Sequence, residues 1–144
     1  MPKIQTYANH LRWYPLFHFV LVPLLIINLL SHLVRFFMAP SWALFFWVLL
    51  SIVLILMALT SRLMALKAQD RLIRLEERLR YREMLSPDLA KRADELTLGQ
   101  VIALRFASDD ELPDLVERTL GGEFARGKEI KLAVRNWRGD YVRV

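Results

Sequence analysis

Residues 41–61 read SWALFFWVLLSIVLILMALTS, a run without a full charge that ends at Arg62. About 20 apolar residues at ~1.5 Å rise each cross a ~30 Å hydrocarbon core. The run just before it, residues 16–33 (LFHFVLVPLLIINLLSHL), is also uncharged and ends at Arg35. A chain of 144 residues cannot bury two such helices in a soluble core. The first run is too long for a cleavable signal, and a second follows within a few residues. The expected fold is therefore an all-α membrane protein, with spans of about 16–34 and 41–61. The connection through Pro40 and Ser41 is short enough to force an antiparallel hairpin.

Trp13 and Tyr14 flank the first entry and Trp42 flanks the tip, where amphipathic rings favour the headgroup level; Arg62 closes the second span. Lys3 and Arg12 precede the first span, Arg35 alone marks the tip, and Arg62, Lys67, Arg71 and Arg74 follow the second. The positive-inside rule then places both termini in the cytoplasm.

The spans differ in polarity. The first carries His18, Pro23, Asn28, Ser31 and His32, while Ser51 is the interior polar residue of the second. Pro23 should kink its helix, and Asn28 needs a protein partner in an apolar medium. The first span is expected to pack through Pro23, Asn28 and Ser31, with the second as the lipid anchor. His18 and His32 lie 14 residues apart. On a regular helix that puts them within roughly 40° and ~21 Å of each other, a spacing that resembles the haem-ligating pair of membrane cytochromes b. The second span has no matching histidine, so hydrogen bonding at the headgroups is the leading reading and haem or pigment ligation the alternative. Neither span contains Asp or Glu, which argues against a proton or cation pathway.

Outward from the spans the composition changes. All 15 acidic residues lie from Asp70 onward, and the 17 basic residues from Arg62 onward nearly cancel them. The chain has no cysteine and its three histidines are all in the first third, so the charged half lacks the commonest acid–base and nucleophilic groups. No Gly or Pro interrupts residues 42–85, which predicts a cytosolic stem over 62–85 continuing the second span. Ala65, Ala68, Leu72, Leu75 and Leu79 repeat at 3-4 spacing, with Leu72, Leu75 and Leu79 as the stem's expected interface. The other stem faces read as solvated charge.

Residues 86–144 read as a small bundle of short helices. Ser86-Pro87 caps one, and Thr97 to Gln100 has capping-box spacing. Ser108 to Glu111 has it again and should open a helix to about Leu120, with Asp109 and Asp110 as helix N-terminal charges, before Gly121-Gly122 ends it. A last helix from about Lys128 should pack through Ile130, Val134 and Trp137, with Lys128, Lys131, Arg135 and Arg138 as a basic stripe. The acidic helix before it argues against nucleic acid as the stripe's partner. A short extended tail is expected from Tyr141.

Several stretches resemble a family of small, uncharacterised bacterial membrane proteins. They are Tyr7 to His10 with Arg12, Pro15 to Phe19, Arg74 to Tyr81 (RLEERLRY), Ile102 to Asp109 (IALRFASD) and Arg135 to Arg138 (RNWR). The resemblance implies the two-span architecture and a bacterial cytoplasmic membrane, and assigns no activity or functional residue. No phosphate loop, metal-ligand cluster or nucleophile–base set is present in the sequence. The expectation is a non-enzymatic membrane protein without a cofactor or small-molecule substrate. It would contact the bilayer and act through a protein partner or self-association. The alternative is a cofactor-binding subunit using His18 and His32.

Overall fold

The computed structural model describes residues 5–9 and 13–141. Lys3, His10 and Arg12, and the tail expected beyond Tyr141, lie outside the described residues. The chain divides into two compact units, one of residues 13–66 and one of residues 5–9 with 67–141. The division falls at residue 66, beside the boundary expected at 61, and stem residues 67–85 cluster with the bundle.

In the first unit, a π-helical stretch, Leu16–Leu21, runs directly into α1, Val22–Met38. The N–H of Val22 reaches back to the Phe17 carbonyl, one residue further than in an α-helix. Pro23 lacks an N–H, and its ring crowds the carbonyl four residues earlier. The wide turn just before it is where the helix absorbs that misfit. Ala39 leaves the helical region, and the Ser41 hydroxyl accepts the Leu44 N–H at 3.2 Å to start α2. That helix is unbroken over Trp42–Met84, 43 residues, as the lack of Gly and Pro predicts. Both helices are long and apolar enough to cross a membrane. No residue of the π-helical stretch or of α1 is buried, and Ser51 is the only buried residue between Trp42 and Leu72.

The second unit is organised like a soluble domain. Tyr81 and Leu85 of α2 join one core with residues of α4 (Leu98–Leu104), α5 (Leu112–Leu120) and α6 (Gly127–Ala133), and Leu89 and Ala90 of α3 (Pro87–Arg92) pack against it. Leu104, Phe106, Leu112, Val116 and Ile130 are fully buried. Ser86 caps α3, and Thr97 with Gln100 closes the expected capping box on α4. A methyl group at Gly127 would meet the Gly99 carbonyl at 2.9 Å, so this glycine lets α6 lie against α4. After α5 the Gly122 N–H reaches Thr119 and the Glu123 N–H reaches Arg118, with Gly122 at φ 82°. That is the Schellman ending expected of Gly121-Gly122.

Two expectations are corrected here. Helix α5 begins at Leu112, four residues after Ser108, because Pro113 favours the first turn and Asp109 is drawn elsewhere. The last helix ends at Ala133, and Val134 turns to extended backbone at ψ 122°. Ile130 and Val134 are buried as expected, whereas Trp137 lies on an antiparallel bridge to Ala107. The basic stripe is therefore divided: Lys128 and Lys131 are helical, Arg135 and Arg138 are not.

Candidate functional site

Glu77 and Arg80 stand three residues apart on α2, hence on one face of the helix. Both are buried, at 5% and 8% exposure, where a solvated surface was expected. Every arm of the Arg80 guanidinium is occupied. Nη1 donates to Glu77 at 3.1 Å, Nη2 to the Ala107 carbonyl at 2.8 Å, and Nε and Nη2 to Asp109 at 2.9 and 2.6 Å. Arg138 reaches the other Glu77 oxygen at 3.4 Å. Arg105 meets Asp140 at 3.4 Å and lies 4.6 Å above the Phe106 ring, against which Trp137 packs at 4.8 Å.

Three separate segments supply this cluster, and each has a structural reason to be there. The α2 helix carries Glu77 and Arg80. The turn after α4 brings in Ala107 and Asp109. The segment of Trp137 and Arg138 is held by two backbone bonds, Ser108 N–H to Asn136 at 3.1 Å and Arg138 N–H to Phe106 at 2.8 Å. Glu111 accepts the N–H groups of Arg135 and Asn136 at 3.0 and 3.1 Å, fixing the same segment from the other side. The chain's beginning joins too: Asp140 N–H donates to Gln5 at 2.7 Å, and Gln5 N–H to the Tyr141 hydroxyl at 3.3 Å.

Burial raises the Glu77 pKa above 4.5, although Arg80, Arg138 and Arg105 all pull it down. Burial beside Glu77 also raises the Tyr81 phenol, whose hydroxyl has no hydrogen-bond partner among the described residues. Arg80 is occupied by two carboxylates and a carbonyl, and Glu77 is shared between Arg80 and Arg138. Such an arrangement cements three segments together. A small cleft of about 100 Å³ beside Glu77, Arg105 and Arg138 has mixed charge. Among the described residues no group of three or more His, Asp or Glu side chains is placed to hold a metal ion.

The membrane-half candidates are arranged differently. The Ser51 hydroxyl donates to Asn28 at 2.7 Å across the two helices, and lies 2.9 Å from the Trp47 carbonyl. Asn28 thus has its protein partner, and the second helix supplies it. The Ser31 hydroxyl is turned back onto the Asn28 carbonyl at 2.8 Å, within its own helix. His32 stacks on Trp47 at 5.7 Å and 12°, its Nδ1 buried without a hydrogen bond. His18 bonds the Tyr14 carbonyl through Nδ1 at 3.0 Å and lies edge-on to Trp13. The π-helical turn breaks the regular count on which their common face rested, and the ring of His32 is committed to Trp47. Trp13, Tyr14 and Trp42 are exposed, and Arg62 sits 5.7 Å from the Phe17 ring. On the stem, Leu72, Leu75 and Leu79 are exposed. The bundle packs instead on Ile73, Glu77, Arg80 and Tyr81.

Sequence reasoning missed the ionic cluster because each charge has an ordinary local explanation as a solvated face or helix-end residue. A signal was present. Three of the stretches that carry the family resemblance, RLEERLRY, IALRFASD and RNWR, are the three that meet at Arg80 and Arg138.

The fold defines a class: an all-helical chain with two helices of membrane-spanning length and a bundle tied by a buried ionic cluster. The chain belongs to a family of unknown function, DUF6526, whose model matches residues 1–144. No curated protein and no solved structure matches it.

Proposed function

We propose that this chain is a two-span protein of the bacterial cytoplasmic membrane, non-enzymatic, acting through protein contacts as an accessory or scaffolding subunit or a small homo-oligomer. The observation that carries the membrane reading is the exposure of the apolar helices. From Leu16 to Met38 nothing is buried, and from Trp42 to Leu72 only Ser51 is. A core helix would be covered, and water does not tolerate an apolar surface of that extent. The pairing of Gln5 with Asp140 and Tyr141 supports an even number of crossings, because it keeps both ends on one side. The Lys and Arg distribution makes that side the cytoplasm. The pairing of buried Glu77 with Arg80 and Arg138 supports a structural role for the cluster over a catalytic one. The haem alternative is weakened by the stacking of His32 on Trp47.

The chain has no cysteine, so single-cysteine variants report topology without background. In spheroplasts, Ala39→Cys at the tip should react with a membrane-impermeant maleimide, and Glu123→Cys in the bundle should react only after lysis. Release of the protein by alkaline carbonate, or labelling of Glu123→Cys before lysis, would overturn the topology.

A further inference from the structure

Leu72, Leu75 and Leu79 are 55, 57 and 51% exposed, on a helix whose opposite side is packed against its own bundle. The centre of the buried face, Ile73, Glu77, Arg80 and Tyr81, lies about 150° around the helix from the leucines. The bundle is therefore not their occupant. In heptad terms the leucines are a, d and a. Among the described residues no element covers the leucine stripe.

The flanking charges say what would. Arg71 and Arg78 hold the g positions, Glu76 and Glu83 the e positions, and all four are exposed. In a parallel two-stranded coiled coil a g residue faces the e residue five places later on the other strand. Arg71 then faces Glu76, and Arg78 faces Glu83, and two-fold symmetry doubles both pairs. An antiparallel pairing would set arginine against arginine and glutamate against glutamate. Two copies inserted in one membrane with the same topology can only be parallel. Arg78 already lies 2.9 Å from Asp94, but that pair is exposed and easily exchanged.

We infer that the occupant is a second copy of this chain, paired stem to stem, parallel and in register through Leu72, Leu75 and Leu79. The inference rests on the two-span, protein-contact reading and names its partner. Two heptads are short for a free coiled coil, and confinement of both copies to one membrane supplies the missing effective concentration.

The test uses the full chain in native membranes. Mild oxidation should cross-link Leu72→Cys and Leu75→Cys into dimers, and should leave Met84→Cys, on the far face of the same stem, monomeric. Arg71→Glu with Arg78→Glu should lower cross-linking of Leu75→Cys roughly tenfold, because all four interchain pairs become repulsive. Adding Glu76→Arg and Glu83→Arg to the same chain should restore it. Equal cross-linking at Leu72→Cys and Met84→Cys, no cross-linking in chains that resist carbonate extraction, adducts only with another protein, or failure of the charge swap to rescue would each overturn the dimer. Release by carbonate would instead overturn the membrane reading, so the two failures are distinguishable.

Discussion

Residues 13–66 and residues 67–141 with 5–9 solve the same burial problem in opposite senses. In the hairpin, apolar side chains face outward and the Ser51 hydroxyl is shielded between helices against Asn28. In the bundle, Phe106, Leu112 and Ile130 are inside, and Arg80 with Glu77 is buried among them. The first unit suits a medium that offers no hydrogen bonds, the second suits water. In both, specificity resides in the few polar groups shut away from the surroundings, because an unpaired polar atom there is costly while an apolar contact can be shifted at little cost. The two polar contacts differ in scale. Arg80 and Glu77 together tie three chain segments through charged hydrogen bonds, whereas Ser51 ties two helices through a neutral one.

The sharpest way to break that contrast is Arg80→Met. It leaves Glu77 buried with Arg138 as its remaining hydrogen-bonded partner, and should cost about 3–5 kcal/mol, the penalty for stripping one partner from a buried ion pair. Hydrogen exchange of amides in residues 98–120 of the full chain in lipid should show faster opening. Adding Glu77→Leu should recover at least half of the loss, since an apolar pair of similar volume is tolerated there. A double variant no better than Arg80→Met would mean that Asp109 and the Ala107 carbonyl, and not Glu77, hold the cluster.

A smaller effect is expected from pH. The folded Glu77 carboxyl has its pKa raised above 4.5 by burial, so the fold binds its proton more tightly than the unfolded chain does. Its contribution is full below the unfolded value and is lost as pH rises through the folded one. Lowering pH from 7.5 toward 4.5 should therefore raise the stability of the native chain relative to Glu77→Gln, read as urea midpoints of the two proteins. Parallel curves would show that the arginines have cancelled the burial effect.

The smallest change is expected in the hairpin. Ser51→Ala removes the bond to Asn28 and should cost about 0.6 kcal/mol, typical of a polar contact between helices in a bilayer. Cysteine cross-linking between the two helices should become slightly faster to exchange without loss of insertion. A loss as large as that of Arg80→Met would erase the distinction between the two units.

Much of the hairpin was legible in the sequence because its signals are local. Two uncharged runs, Pro40-Ser41 between them and an unbroken stretch to Met84 need no tertiary information. The caps at Ser86 and Thr97 and the Gly121-Gly122 ending were legible for the same reason: each is made by residues three or four apart. Ser108 to Glu111 has the same spacing and does not cap a helix. Arg80 captures Asp109, and Glu111 accepts two N–H groups from the segment after α6. A side chain that satisfies a local pattern was taken by distant partners.

The sequence alone determined the two apolar helices, the continuous α2 and the cysteine-free, charge-balanced second half, because periodicity and composition act over a few turns. It also carried the spacing of Leu72, Leu75 and Leu79. Only the tertiary structure decided that this stripe is left uncovered, that Trp137 leaves the helix to pack on Phe106, and that Glu77, Arg80, Asp109 and Arg138 converge. The last two depend on residues 27 or more positions apart in sequence meeting in space. The physical reason is that a buried charge is permitted only by the partners that surround it, and those partners are chosen by the fold and not by the neighbours along the chain.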